Sequence, residues 1–246
     1  VALQARVGAC SQAREHAALM AGSGTEPGSE PHPGPARLAA IDPDASPEEV
    51  AAFRETHMIG PDQPVVLCLP GSRRGEVKRL LPRFQETLMR LRDREPDLRI
   101  IIPTVRGVAP LVRRLSARWP AAPLVVEHPA DKRAAFAAAT VALAASGTVS
   151  LELAANRVPM VIGYDMNLLS RWILRRMVRV DTVTLVNLVS ETRVIPEFLG
   201  AECRPSRMVA VLSRLLEDEA ARADQIAAMD RTMDRLGRSG EAPGIR

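Results

Sequence analysis

Val141 to Tyr164, reading V-A-L-A-A-S-G-T-V-S-L-E-L-A-A-N-R-V-P-M-V-I-G-Y, constrains the fold more than any other stretch. Four apolar residues, Val141 to Ala144, run into Ser146-Gly147-Thr148. A short helical pattern follows, and Pro159 opens a second apolar run, Met160 to Ile162. Strand, tight turn, helix and strand in so few residues is close to the minimum that a parallel crossover needs. Gly147 lets the backbone approach a ligand, while Ser146 and Thr148 can cap the helix and offer hydroxyls. The first free N–H groups of that helix face whatever lies beyond the strand end, a natural place for a phosphate. On a helix, Thr148 and Glu152 stand one turn apart on the same face, which puts an acidic acceptor behind the pocket. These residues read as a nucleotide site. A plain turn capped by serine is the alternative they leave open.

A chain of 246 residues is enough for one large domain with a substantial core. No apolar run approaches the roughly 18 to 20 residues of a membrane span, and no signal-peptide pattern opens the chain. Cys10, Cys68 and Cys203 are widely spaced and fit neither a disulfide framework nor a zinc site, so a reducing cytoplasm is expected. His16, His32, His57 and His128 form no metal-ligand spacing, and no cofactor is expected. The net charge of +4 comes almost wholly from arginine, Lys78 and Lys132 being the only lysines. Arginine suits bidentate phosphate recognition, though genome composition also produces such a bias. Aromatic residues make up only 3% and are not interleaved with basic ones, which argues against nucleic acid as a partner.

Residues 1–31 include the linker-like run Gly22 to Pro31 and read as a disordered or non-native tail, with order expected from His32. Asp42-Pro43-Asp44 has the D-x-D spacing of metal-dependent glycosyltransferases. Ser46-Pro47-Glu48-Glu49 directly after it is a capping box, so the acidic pair reads better as a turn entering a helix from Pro47 to about Thr56. Val65 to Leu69 is a short apolar strand that ends in Pro70-Gly71-Ser72-Arg73-Arg74-Gly75-Glu76. Leu80, Leu81, Phe84, Leu88 and Leu91 then recur at helical spacing, and Pro82 predicts a helix start only a residue or two before it. This basic turn is a second anion-binding candidate; it matches neither the Walker A loop nor G-x-G-x-x-G.

Further elements are expected as a strand at Leu98 to Ile102, a helix from Val108 to Arg118, a strand at Leu124 to Val126 and a helix from Asp131 to Ala139. Such alternation predicts an α/β fold, a Rossmann-like doubly wound parallel sheet covered on both faces. Ligands of such sheets bind outside the carboxyl ends of the strands, where both glycine turns lie. Leu168 to Val180 reads as a basic amphipathic helix with Arg171, Arg175, Arg176 and Arg179 on one face. That face suits an anionic lipid surface, and ordinary packing on the sheet is its plainer use. Asn187 sits inside the apolar run Thr182 to Val189 and is either a loop organiser or a ligand contact. Two helices, Ser206 to Leu216 and Ala220 to Leu236, close the pattern, with Gly237 as a stop.

Taken together, L-P-G-S-R-R-G-E-V at Leu69 to Val77, A-S-G-T-V-S-L-E at Ala145 to Glu152 and P-M-V-I-G-Y at Pro159 to Tyr164 resemble the lipid-A-disaccharide synthase family. R-W-I-L-R-R-M-V-R-V at Arg171 to Val180, V-N-L at Val186 to Leu188, and E-T-R-V-I-P-E through Glu197 add to the resemblance, which covers residues 32–246. It implies the C-terminal half of a GT-B glycosyltransferase fold, a nucleotide-sugar-binding Rossmann-like domain. It also implies an inverting, metal-independent hexosyltransferase. Such an enzyme moves 2,3-diacylglucosamine from its UDP derivative to 2,3-diacylglucosamine 1-phosphate, making the lipid A disaccharide 1-phosphate and UDP. The resemblance places this chemistry in Gram-negative bacteria, on the cytoplasmic side and peripherally associated with the inner membrane.

Carried over residue by residue, Gly71, Ser72 and Arg73 fit the phosphate-side loop, and Ser146, Gly147 and Thr148 the helix start beneath the diphosphate. Glu152 fits the ribose or a nearby loop, with Asn187 and Arg193 lining the same cleft. Val186 stands where the family often has proline, and Asp165 where some members have arginine. The general base is expected in an N-terminal domain absent from this chain, which reads as a fragment of low or no activity alone. A homo-oligomer is left open. The alternatives are another UDP-sugar GT-B enzyme (the peptidoglycan N-acetylglucosaminyltransferase or a UDP-sugar 2-epimerase) or a non-catalytic nucleotide-binding module.

Overall fold

The computed structural model describes residues 45–165 and 182–238. The tail 1–31, the expected onset of order at His32, the Asp42-Pro43-Asp44 turn and the basic run Leu168 to Val180 lie outside the described residues. The elements in chain order are α1 (Pro47–Thr56), β1 (Val65–Leu69), α2 (Arg74–Arg92), β2 (Arg99–Pro103), α3 (Ala109–Ser116) and β3 (Leu124–Val126). There follow α4 (Pro129–Ala137), β4 (Val141–Ala144), α5 (Val149–Ala155), β5 (Met160–Tyr164), α6 (Leu185–Ser190), β6 (Glu197–Leu199), a 3-10 turn (Gly200–Glu202), α7 (Pro205–Glu217) and α8 (Glu219–Arg235).

The six strands form one sheet in the order β3-β2-β1-β4-β5-β6, every pairing parallel. Because side chains alternate across a strand, the continuous apolar runs divide between two cores. Val65, Leu67, Leu69, Ala142, Ala144, Met160 and Ile162 join the core on one face, with Leu153, Ala154 and Met229 from α5 and α8. Val66, Cys68, Val141, Leu143 and Val161 join the other, with Phe84, Leu88, Val112 and Leu212 from α2, α3 and α7. Each fully buried large apolar side chain contributes about 1.5–3 kcal/mol.

The Ser46 capping box is present: its hydroxyl accepts from the Glu49 N–H at 3.2 Å, and the Glu49 carboxylate accepts from the Ser46 N–H at 2.8 Å. Pro82 does not mark a helix start. It sits inside α2, which begins eight residues earlier. The missing N–H leaves the Lys78 carbonyl without its helical donor, but both residues are exposed, so water can satisfy it. Val77 and Leu80 before the proline and Phe84 and Leu88 after it are all buried and hold both halves on the sheet. The other differences are small. α4 starts at Pro129, a favourable first helical residue, rather than at Asp131. Strand β6 adds an edge that the apolar pattern did not announce, since it opens with the charged Glu197.

Candidate functional site

Strands β1 and β4 are neighbours, with Leu69 paired to Ala144. The chain leaves β1 into α2 on one face and leaves β4 into α5 on the other, as the two core memberships show. A crevice opens where connections diverge in this way, and it is the usual ligand position in doubly wound sheets. The turns 70–73 and 145–148 therefore leave the sheet side by side at this switch point.

Both turns carry a glycine at positive φ, Gly71 at 103° and Gly147 at 133°, for different reasons. At Gly71 a Cβ would lie 2.4 Å from Glu76 Oε2, so the carboxylate packs directly on the turn. That carboxylate also receives the Arg73 main-chain N–H at 3.3 Å and faces the Arg73 guanidinium at 3.4 Å, half of a capping box at the start of α2. At Gly147 a Cβ would meet nothing within 4 Å: this turn is open on its outer side. Ser72 and Arg73 are exposed.

The expected capping of α5 by Ser146 or Thr148 is not what the structure shows. Thr148 occupies the N-cap position at φ −62° and ψ −22°, already helical, whereas a side-chain cap needs an extended residue there. The Ser146 hydroxyl instead donates to the Val183 carbonyl at 3.0 Å. Ser150 fastens the turn in their place, its hydroxyl and N–H reaching the Gly147 carbonyl at 2.9 and 3.2 Å. The Glu152 N–H meets the Thr148 carbonyl at 3.4 Å, which sets these two residues one turn apart.

Glu152 is about one-third exposed and ion-paired with Lys132 of α4 at 2.8 Å. Asn187 is buried, and its side chain serves the loop: Nδ2 donates to the Ile195 carbonyl at 2.9 Å, and Oδ1 accepts from the Ile195 N–H at 3.0 Å. Arg193 is exposed, its guanidinium donating to the Thr192 carbonyl. Asp165, the departure from the family pattern, is ion-paired with Arg83 at 3.0 Å.

Three residues of the site escaped the sequence reading. Glu76 sits three residues beyond Arg73, a capping-box spacing that could have been noticed. Lys132 and Glu197 act through contacts distant in sequence. Tyr164 ends β5 half-buried; burial, and then the nearby Glu76 carboxylate, hold its phenol above the ordinary value. Among the described residues, no group of three or more His, Cys, Asp or Glu side chains is placed to hold a metal ion. Nor is any helix among them long and apolar enough to cross a membrane.

The strand order, the two-faced core and the paired turns define a Rossmann-like, doubly wound α/β domain. Solved structures agree on the fold. A glycosyltransferase from Rickettsia africae superposes with a TM-score of 0.55 at 12% identity, covering 81% of this chain and 50% of its own. The ADP-heptose LPS heptosyltransferase II of E. coli gives 0.53 at 14% identity, covering 72% of this chain and 54% of its own. The family model for lipid-A-disaccharide synthetase matches residues 41–242. The chain belongs to that family. The lipid-A-disaccharide synthase of Ruegeria pomeroyi is 53% identical over 213 residues, 83% of this chain and 52% of that protein. That of Rhodospirillum centenum is 45% identical over 194 residues, 79% of this chain and 48% of that protein. The chain thus spans about half the length of the curated relatives it matches.

Proposed function

We propose that this chain supplies the donor-binding side of a lipid-A-disaccharide synthase. UDP-2,3-diacylglucosamine would lie in the crevice between the turns 70–73 and 145–148. The 6-hydroxyl of 2,3-diacylglucosamine 1-phosphate attacks the anomeric carbon, the bond from that carbon to the UDP oxygen breaks, and the hydroxyl proton passes to a general base. We place that base, and the acceptor surface, outside the described residues. The observation that carries the reading is the adjacency of two glycine turns at the switch point of a chain in this family.

The physical logic follows the charge. UDP departs with new negative charge on its terminal phosphate, and fixed donors aimed there lower the barrier most. Arg73 offers a guanidinium from the first turn, and the open Gly147 turn offers main-chain N–H groups. Glu152, held by Lys132, is available to ribose hydroxyls. Gly71, Ser72 and Thr148 shape the two turns, while Asn187 and Arg193 belong to the neighbouring wall. The acylated substrates put the reaction at a membrane surface, and the basic run Arg171 to Arg179 suits the anionic inner-membrane face.

Calorimetric titration of UDP into the chain tests the pocket. Arg73→Ala should weaken binding about 10-fold or more, the worth of one charged hydrogen bond. Ser146→Ala should also weaken it, by releasing the turn. Equal binding by both variants would place the nucleotide elsewhere. The reaction is tested with UDP-2,3-diacylglucosamine and its 1-phosphate acceptor, using the full-length gene product. A disaccharide is the expected product, whereas turnover of UDP-N-acetylglucosamine alone points to the other UDP-sugar enzymes.

A further inference from the structure

We propose that Glu197 is a positioning residue for the switch-point turn, acting on Ser146 through the main chain of residues 182–184. The proposal rests on the reading that UDP binds at that turn. Glu197 opens β6, opposite Ile162 of β5. Its carboxylate collects four donors: the Thr182 hydroxyl, the Val183 N–H at 3.2 Å, the Thr184 N–H at 2.8 Å and Asn187 Nδ2 at 3.3 Å. An anion accepting several main-chain N–H groups holds that backbone in one conformation, since charge-assisted bonds are the strong ones.

The peptide so held connects directly to the site. The Val183 N–H points at Glu197 while its carbonyl receives the Ser146 hydroxyl at 3.0 Å. Asn187 closes the ring by gripping the main chain of Ile195, two residues before Glu197. Ser146, Val183, Glu197, Asn187 and Ile195 thus form one hydrogen-bonded circuit beside the open Gly147 turn. With its proton committed to Val183, the Ser146 hydroxyl is not the donor that meets a phosphate. Its part is to hold the turn so that the Gly147 and Thr148 N–H groups can. Residues near the chemistry need such locked support to keep their geometry.

The test is a double-mutant cycle on UDP binding with Glu197→Gln and Ser146→Ala. Glutamine keeps the size but turns one acceptor into a donor that faces N–H groups. Glu197→Gln should weaken UDP about 10-fold. In that background Ser146→Ala should add less than about 2-fold, because both act through Val183. Without nucleotide, amide hydrogen exchange at Val183 and Thr184 should speed up in Glu197→Gln. If that variant does not fold, Thr182→Val removes one donor to the carboxylate, together with a 3.3 Å acceptor of the Thr184 N–H, and should weaken UDP about 3-fold. Unchanged UDP affinity in a folded variant, or losses that simply multiply, overturns the positioning role and leaves the site reading intact. Failure of the unaltered chain to bind UDP overturns both.

Discussion

The Lys132 ammonium spans from α4 to α5, 2.8 Å from Glu152 Oε2, while lying 5.4 Å from the centroid of the Phe136 ring. Both partners are about one-third exposed, so water and salt screen the pair. Lys132→Met should therefore cost stability only about 0.2–1 kcal/mol. UDP affinity should fall further than this if Glu152 must stay oriented toward the ribose. Paired measurements of melting temperature and UDP affinity check it, and equal losses in both would remove Glu152 from the site.

The two site glycines should respond differently to alanine. Both substitutions strain a positive φ, at roughly 1–2 kcal/mol each. Gly71→Ala also drives a methyl into the Glu76 carboxylate and must break its contact with the Arg73 N–H. Gly147→Ala meets no neighbour within the protein, so its added effect should fall on ligand binding. Urea midpoints should rank Gly71→Ala as the less stable variant, and UDP titration should find Gly147→Ala impaired beyond its stability loss.

Removing the Asn187 amide leaves the Ile195 N–H and carbonyl without their side-chain partners in a buried setting. Asn187→Ala should destabilise the protein by about 2–4 kcal/mol, from three lost bonds, two to Ile195 and one to the Glu197 carboxylate, and their desolvated partners. Chemical denaturation checks the magnitude. A loss below about 0.5 kcal/mol would mean that water replaces the amide, and that the loop does not depend on it.

Gly163 sits where α2 and α7 press on β5. A Cβ there would lie 2.8 Å from the Phe84 ring and 3.1 Å from the Met208 sulfur. Both side chains are fully buried; the unbranched thioether of Met208 can shift a little, whereas the rigid Phe84 ring has less room to yield. Gly163→Ala should cost about 1–3 kcal/mol, with Phe84→Leu in the same chain relieving part of it. Thermal melts of the single and double variants test this.

Burial pushes the Cys203 thiol up to about 11, from an ordinary 9.0, with Arg83 opposing and Asp165 adding. The folded state thus holds this proton more tightly than the unfolded chain. The associated stability is complete below the unfolded value and is lost as pH rises through the folded one. Between about pH 9 and about pH 11 the loss should reach at most about 3 kcal/mol. Cys68, fully buried, is raised for the same reason and acts in the same direction. Urea midpoints across this window should fall less steeply in Cys203→Ala; an unchanged slope would show that the thiol is not shielded.

The sequence alone determined the alternation of strands and helices, the parallel sheet and both glycine turns at strand ends. These are short-range matters: period-two and helical apolar patterns, capping residues and a glycine's tolerance of positive φ act within a few residues. The tertiary structure decided which contacts those turns make. Ser146 finds Val183 37 residues away, and Lys132 finds Glu152 across 20. A hydroxyl or ammonium carries no mark of its distant partner in the local pattern. The same holds for Asn187, whose amide partners Ile195 and Glu197 lie eight and ten residues further along the chain. Pro82 shows the reverse: a local rule against helix interiors gave way because buried residues on both sides hold α2 to the sheet. Strand order placed β1 beside β4, and that adjacency, set by packing on two faces at once, brought two separate anion-binding candidates side by side at one edge of the sheet.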